Sequence, residues 1–261
     1  MNNHFKQDKI RAFWNKRAGM GLAAGSQDII LKELEMNAIA AFVKPGMSVL
    51  DVGCGNGVTV MEIARRFPVR VYGIDIAEQM VTAAENAAKK TTEKFAGSVS
   101  FAVGDITQIQ RDIGTYDVVY TERTLINLQD FEAQKHALDQ IARTVAPGGI
   151  YVMCESSKHG LQQMNSLRKQ IGLPKIQMPW HNCYIDDKRI MDISVQGLTL
   201  DRVEDFSSTY YFLSRIVNAH LAHLRGEEPK YDDAINTLAL SLPPLIDGFG
   251  QTKIWVWKSS V

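Results

Sequence analysis

Only three cysteines, Cys54, Cys154 and Cys183, occur in 261 residues, and no two form a C-x-x-C pair. Odd in number and far apart, they argue against a disulfide framework or a zinc site and for a reducing compartment. No run approaches 18 apolar residues, so no transmembrane helix is expected. The N-terminal stretch MNNHFKQDKIRAFWNKR is polar and basic without an apolar centre, so no signal peptide is visible. An excess of one charge is also missing: 29 Lys and Arg stand against 29 Asp and Glu. Nothing there provides a global field for nucleic acid or an anionic membrane. Internal repeats and low-complexity linkers are absent too. These absences together predict a cytoplasmic protein with no nucleic-acid partner and no membrane insertion.

What is present is an ordinary globular composition, 45% hydrophobic, 8% aromatic and 22% charged. A chain of this size buries about three quarters of its unfolded surface and needs no covalent staple. Its rhythm alternates. Helical spacing over Asp28 to Val43 stops at Pro45-Gly46, and MSVLDV (47–52) reads as a buried strand. A glycine cluster precedes a helix over 58–67. Strand 69–74, helix 77–90, strand 99–103, strand 116–121, helix 131–145 and strand 150–154 follow. Strands alternating with helices imply βαβ units and a parallel sheet covered on both faces. Beyond Glu155 the rhythm changes. A helix is expected over 161–171, a strand over 203–212, helices over 213–224 and 232–242, and a last strand over 252–258.

The sharpest motif is Asp51-Val52-Gly53-Cys54-Gly55-Asn56-Gly57, which leaves a strand and opens a helix. Alternating glycines permit positive φ and close approach of a ligand to the backbone. No Lys-Ser/Thr follows, so a P-loop is absent, and the spacing is not G-x-G-x-x-G. Asp51 at the strand end suits a cationic ligand better than a pyrophosphate. Asp75 ends the second strand, at a spacing that suits an acid holding ribose hydroxyls. Gly104-Asp105-Ile106 follows the third. All three strand ends share the carboxyl edge where open α/β sheets bind ligands.

LDVGCGNG, GIDIAEQM, VGDI, YDVVYTE and APGGIYVM together resemble the class I S-adenosylmethionine-dependent methyltransferases, over about residues 45 to 155. The resemblance implies a Rossmann-like, doubly wound α/β fold with a mostly parallel seven-stranded sheet and helical insertions forming an acceptor cap. It implies S-adenosylmethionine as cofactor, S-adenosylhomocysteine as product, and no metal. Gly53, Gly55, Asn56 and Gly57 would pass beneath the methionine part, with Asp51 facing its ammonium group or the water around it. Asp75 would accept from the ribose hydroxyls, and Ile76, Met80, Gly104 and Ile106 would lie about the adenine. Asp105 would accept from its exocyclic amine, and Thr121-Glu122 would lie near the methyl group. More loosely, TERTLINL and MPWHNCY are similar to a bacterial subgroup of sugar and polysaccharide methyltransferases. The metal triad and dimerisation domain of the plant-type O-methyltransferases are absent, as is an N/D-P-P-Y motif, which counts against amino methylation of DNA bases or protein glutamine.

In such an enzyme the chain divides into an N-terminal helical lid (1–45), a cofactor-binding core (46–155), cap insertions (156–200 and 213–250) and a last strand (251–261). Trp14 and Arg17 have two readings: a surface helix packed on the sheet, or a lid in which Trp14 covers the cofactor and Arg17 pairs with its carboxylate. SN2 transfer to a hydroxyl needs alignment and a base, for which His181 is the first candidate, then Glu155 and Glu122. Arg123, Trp180, Asn182 and Tyr184 are candidate acceptor contacts. The paired His220 and His223 lack a matching carboxylate motif for a metal. The leading acceptor is a saccharide or similar small polar molecule methylated on oxygen. A sugar amine or other nitrogen acceptor, a cofactor-binding sensor without turnover, and an RNA methyltransferase are the alternatives. The oligomeric state is not legible.

Overall fold

The computed structural model describes residues 3–260, so the final residue of the 251–261 segment and the first two of the 1–45 segment lie outside it. In chain order the elements are α1 (Asn3–Arg17), a short helical turn (Ala18–Ala24), α2 (Ile29–Ala40), β1 (Ser48–Val52), α3 (Val58–Arg66), β2 (Arg70–Asp75), α4 (Glu78–Lys90), β3 (Ser98–Val103), β4 (Tyr116–Glu122) and α5 (Phe131–Ala142). Then come β5 (Val145–Ser156), α6 (Lys158–Gln170), α7 (Asp187–Asp192), β6 (Leu198–Glu204), α8 (Ser208–Phe212), a π-helical stretch (Leu213–Asn218), α9 (Ala219–Arg225), α10 (Ala234–Thr237) and β7 (Thr252–Ser259).

The seven strands form one sheet in the order β3-β2-β1-β4-β5-β7-β6. The first five are parallel, while β7 runs antiparallel to both β5 and β6. This is the expected Rossmann-like α/β sheet. Successive strand residues face opposite sides. Leu50, Val52, Val119, Tyr151 and Met153 pack under α5 with Leu138 and Ile141, and Trp255 and Trp257 extend that layer. Val49, Val71, Val118, Tyr120 and Val152 face the other way, onto Ile39 of α2 and Ile63 of α3. Two covered faces explain why the strands read as continuous apolar runs. Parallel register brings the carboxyl ends of β1, β2, β3 and β4 to one edge.

Past β5 the sequence expectations need correction. The strand expected over 203–212 is β6, Leu198–Glu204, and Thr209-Tyr210-Tyr211-Phe212 is helical rather than extended. Ser208, Thr209, Tyr210 and Tyr211 are all buried, a continuous burial that a strand with one solvated face does not give. Their aromatic, strand-favouring composition is overridden by packing against Leu31 and Met164. β5 starts earlier than expected, at Val145, and takes Pro147-Gly148-Gly149 through a register shift opposite Tyr116 and Val118. The helix expected over 232–242 is only α10 and the 3-10 turn Leu238–Leu240. Among the described residues no helix is long and apolar enough to cross a membrane.

Candidate active site

At the end of β1 the chain turns sharply, with the Gly53 and Cys54 N–H groups both donating to the Ile74 carbonyl at 2.7 and 2.9 Å. Gly53 has φ +88°, and a Cβ there would sit 2.2 Å from the Thr124 hydroxyl oxygen. Gly55 has φ +53°, and a Cβ there would meet nothing within 4 Å, because it would point into an open cavity. Asp75 Oδ2 accepts from the Gly55 N–H at 2.9 Å and Oδ1 from the Ala77 N–H at 2.8 Å, so one carboxylate ties the glycine turn to the start of α4.

The cavity, about 550 Å³, runs along the carboxyl edge of the sheet. That volume suits a small molecule. Its first end holds Asp51, Asn56, Asp75, Ile76 and Met80, together with Gly104, Asp105 and Ile106. Asp51 is buried and its Oδ1 has no hydrogen-bond partner. Burial pushes its carboxyl well above the usual range. A buried carboxylate oxygen without a donor, beside a glycine whose missing Cβ opens onto the cavity, fits a ligand bearing an ammonium group. Trp14 and Arg17 also line this end. Arg17 Nε and Nη2, however, donate to the carbonyls of Ala24 and Ala23 at 2.6 and 2.9 Å. Its fork is thus engaged in folding the 18–24 turn rather than held out for a carboxylate. Asn56 Nδ2 donates to the Gly21 carbonyl at 2.7 Å and holds that turn against the glycine loop.

The second end is built by α2, the end of β4 and the segments after β5. Glu122 Oε1 accepts from Lys32 Nζ at 2.5 Å and its Oε2 from the Thr59 hydroxyl at 2.6 Å. Burial opposes its charge, but Lys32 and Arg123 outweigh that and hold its carboxyl below the usual range. Arg123 is the one non-glycine residue with positive φ (54°) among those described, a strained conformation of the kind that clusters at functional sites. Its Nε lies 3.3 Å from Glu35, whose fully buried carboxyl is pushed up to about 8 by burial. His181 lines the cavity with its ring 4.6 Å from that of Phe13 and 5.8 Å from that of Trp14. Burial, then the charge of Arg17, lowers its pKa. Asn182 and Tyr184 line the same wall, and the Tyr184 hydroxyl accepts from Gln251 Nε2 at 3.1 Å.

Four residues do not stand where the sequence placed them. Gly57 is outside the cavity: its φ is +77°, and a Cβ there would strike Phe101 and Ala84, so it is glycine for packing and for the start of α3. Thr121 points into the core, its hydroxyl 2.9 Å from that of Tyr151. Trp180 is 60% exposed and packs its edge on Phe13 and His181 from outside. Glu155 does not reach the cavity. Its Oε1 accepts the N–H groups of Thr124 and Leu125 at 3.0 and 2.9 Å, and its Oε2 that of Ile126 at 3.3 Å. Burial raises it to about 7, against the pull of those donors.

Sequence reasoning missed Asp28, the N-cap of α2, and Lys32 and Glu35 within it, at i, i+4 and i+7. That spacing was the available signal: it places the three along one side of the helix, where they meet Arg215, Glu122 and Arg123. Thr124 and Arg215 carried no such mark.

The methyltransferase domain family matches residues 43–198. The chain belongs to that family, the class I S-adenosylmethionine-dependent methyltransferases, and its cofactor is S-adenosylmethionine. Among curated relatives, phosphoethanolamine N-methyltransferase 1 of Arabidopsis thaliana is 30% identical over 179 residues, which cover 62% of this chain and 34% of that protein. A sterol 24-C-methyltransferase of Gibberella zeae is 33% identical over 113 residues, 43% of this chain and 28% of that one. The chain thus spans about a third of the length of the curated relatives it matches. Magnesium protoporphyrin IX methyltransferase from Synechocystis PCC 6803, with bound S-adenosylhomocysteine, shares the fold at a TM-score of 0.59 and 19% identity, covering 95% of this chain and 94% of that one.

Proposed function

We propose that the protein transfers a methyl group from S-adenosylmethionine to a small polar acceptor, a saccharide hydroxyl being the leading choice. One observation carries this reading. A single cavity joins the Asp51–Gly55–Asp75 end to a second end lined by Glu122, Lys32 and His181. When bound, the cofactor supplies a methyl already activated by a sulfonium charge. The remaining work of the chain is binding, alignment and proton removal. Asp75 would hold the ribose hydroxyls, Asp51 the ammonium group, and Ile76 and Ile106 the adenine. Fixing the acceptor in line is worth roughly 7–11 kcal/mol. A hydroxyl becomes strongly acidic as it is alkylated, so a modest base suffices. His181, largely neutral at pH 7 because its pKa is lowered, is the first choice and Glu122 the second. Glu155 is withdrawn from that role by its three backbone donors.

The segments 156–200 and 213–250 would act as the acceptor cap, and residues before 45 as the lid. Contacts from His181, Asn182 and Arg215 at the cavity wall support that division. A nitrogen acceptor is the second reading, favoured by the similarity to an enzyme named for N-methylation of phosphoethanolamine. A cytoplasmic location goes with either. The test is calorimetric titration with S-adenosylhomocysteine, followed by a transfer screen over nucleotide sugars, glycans, phenols and amines. Product release with a matching mass gain of one methyl is expected. Tight cofactor binding with no turnover across the screen would favour a sensor, and no cofactor binding would overturn the reading.

A further inference from the structure

We propose that the acceptor end of the cavity takes an anionic acceptor, one bearing a phosphate or a carboxylate, and that Arg215 grips its anionic group. This rests on the methyl-transfer reading above and narrows its substrate class. Sugar phosphates and uronic acids fall within it.

Arg215 lies in the π-helical stretch Leu213–Asn218, which continues α8 into α9. π turns are rare and are found frequently at functional sites. Here the turn brings Arg215 to the cavity wall, while its own carbonyl accepts a hydrogen bond from Arg168 Nη1. The guanidinium lies 4.7 Å from the ring centroid of Tyr231, 5.5 Å from that of Tyr211 and 5.7 Å from that of Tyr210. Aromatic walls keep water away and strengthen any charge pairing beside them.

The nearest carboxylate is already shared. Asp28 Oδ2 pairs with Arg215 Nη2 at 2.5 Å and the Ser214 hydroxyl accepts from Nη1, which leaves Nε as the donor with neither partner. Its Oδ1 caps α2 through the Leu31 N–H and also accepts from the Tyr210 hydroxyl. One carboxylate thus serves a helix end, a phenol and a guanidinium.

The wider balance is positive. Lys32, Arg123 and Arg215 line this end against Asp28 and Glu122, with Arg168 behind Arg215 and Glu35 behind Arg123. Arg168 reaches only backbone carbonyls, those of Pro174 and Arg215. With all three acids ionised each lining cation has one carboxylate beside it, and Arg168, behind the wall, has none. Glu35, fully buried with neither oxygen hydrogen-bonded, favours its protonated form, which enlarges the surplus. Buried charge without a counter-charge is expensive, so an arriving anion gains more here than in water. The cofactor end has the opposite character, with Asp51, Asp75 and Asp105. The cavity is therefore polarised along its length, acidic beneath the cofactor and basic beyond the methyl position. An arginine fork suits phosphate and carboxylate alike. The competing view makes Arg215–Asp28 a purely structural ion pair. That view predicts lost thermal stability in variants but no anion binding in the native protein.

The experiment is calorimetric titration of the S-adenosylhomocysteine-loaded protein with inorganic phosphate, and in a parallel arm with acetate, at constant ionic strength. Saturable binding of at least one anion is expected, weakened at least tenfold by Arg215→Ala and less by Arg215→Lys, with cofactor affinity unchanged. Should Arg215→Ala not fold, Arg215→Lys, which keeps the charge beside Asp28, carries the comparison. Phosphate alone would identify a phosphorylated acceptor, acetate alone a carboxylated one, and both would support the anion class. Lys169→Ala, in a separate surface groove, should bind the anion as the native protein does. No saturable binding of either anion, or binding that falls in Lys169→Ala but not in the Arg215 variants, would overturn the proposal. Failure of the native protein to bind S-adenosylhomocysteine would instead overturn the methyl-transfer reading beneath it.

Discussion

The carboxylate of Glu155 holds the backbone N–H of Thr124 at 3.0 Å, and the Thr124 side chain fills the space that Gly53 leaves free. A buried acid at the end of β5 thereby sets the packing of the turn at the end of β1. Removing it in Glu155→Ala leaves three buried N–H groups without an acceptor. At about 1 kcal/mol or more each, stability should fall by at least about 3 kcal/mol. S-adenosylhomocysteine affinity should fall as well, because Thr124 loses its anchor. Urea denaturation and calorimetry check the two effects separately. An unstable variant that binds the ligand normally would show that the two turns are uncoupled.

Gly53→Ala should abolish cofactor binding, since its Cβ would overlap the Thr124 hydroxyl and its φ is +88°. Adding Thr124→Gly removes the clash but not the backbone strain, which costs roughly 1 kcal/mol. The double variant should regain part of the affinity. If it binds no better than the single one, Thr124 is not the obstacle.

Asp75→Ala should weaken S-adenosylmethionine binding by at least about tenfold, from two lost hydrogen bonds to a charged acceptor. Gly55→Val should do similar damage by filling open cavity space. Normal titration curves in either folded variant would displace the cofactor from this end.

His181→Ala should lower kcat by about 10²-fold while sparing cofactor affinity, if the residue is the base. The lowered pKa of His181 keeps it neutral to more acidic pH than an ordinary histidine. Activity should therefore persist through pH 6.5 and fail below it as the ring gains a proton. An unchanged acidic limb in the variant would rule His181 out as the base.

Stability of the ligand-free protein should fall as pH rises from about 4.5 to about 8. Glu35 and Glu155 have folded pKa values near 8 and 7, against 4.5 when exposed. Over that window the folded chain holds protons that the unfolded chain has released. Protonation thus favours folding, and the benefit is complete below 4.5 and lost through 7 and 8. Each group contributes a slope of about 1.4 kcal/mol per pH unit while its two states differ. Glu35→Gln should flatten the upper part of the curve. A flat profile in the native protein would show that both carboxyls ionise normally.

Much of the Asp51–Asp105 end of the cavity was legible because its pattern is local. Asp51 and Asp75 stand at the ends of strands and Gly55 and Asp105 just after them, each on a plain apolar run, and the parallel sheet gathers those strand ends without further information. Gly57 shows the limit: its glycine is required by Phe101 and Ala84, a contact between elements distant in sequence. The end of the cavity beside Glu122 was less legible for the same reason. Glu155 looked free at a strand end, yet three N–H groups from the loop after β4 claim it. Tyr211 was read into a strand from its aromatic neighbours, and tertiary packing wound it into a helix. Lys32 and Glu35 were hidden inside what read as an ordinary amphipathic helix.

The antiparallel seam between β5 and β7 has a consequence for the order of assembly. Asp51 pairs with Gly73, about twenty residues away, whereas Glu155 pairs with Lys253, nearly a hundred residues further along. Closing so long a loop costs entropy before any contact repays it, and such pairings form slowly. The β1–β2 half can therefore register early on its own short loops. The segment around His181 has its own anchors, Ile185 on Ser156 and Cys183 on Ile126, whereas β6 has no strand partner until β7 docks between it and β5. The β1–β2 edge of the cavity is made first and the β6–β7 side last, so a variant that slows β7 docking should populate a species with the first formed and the second open.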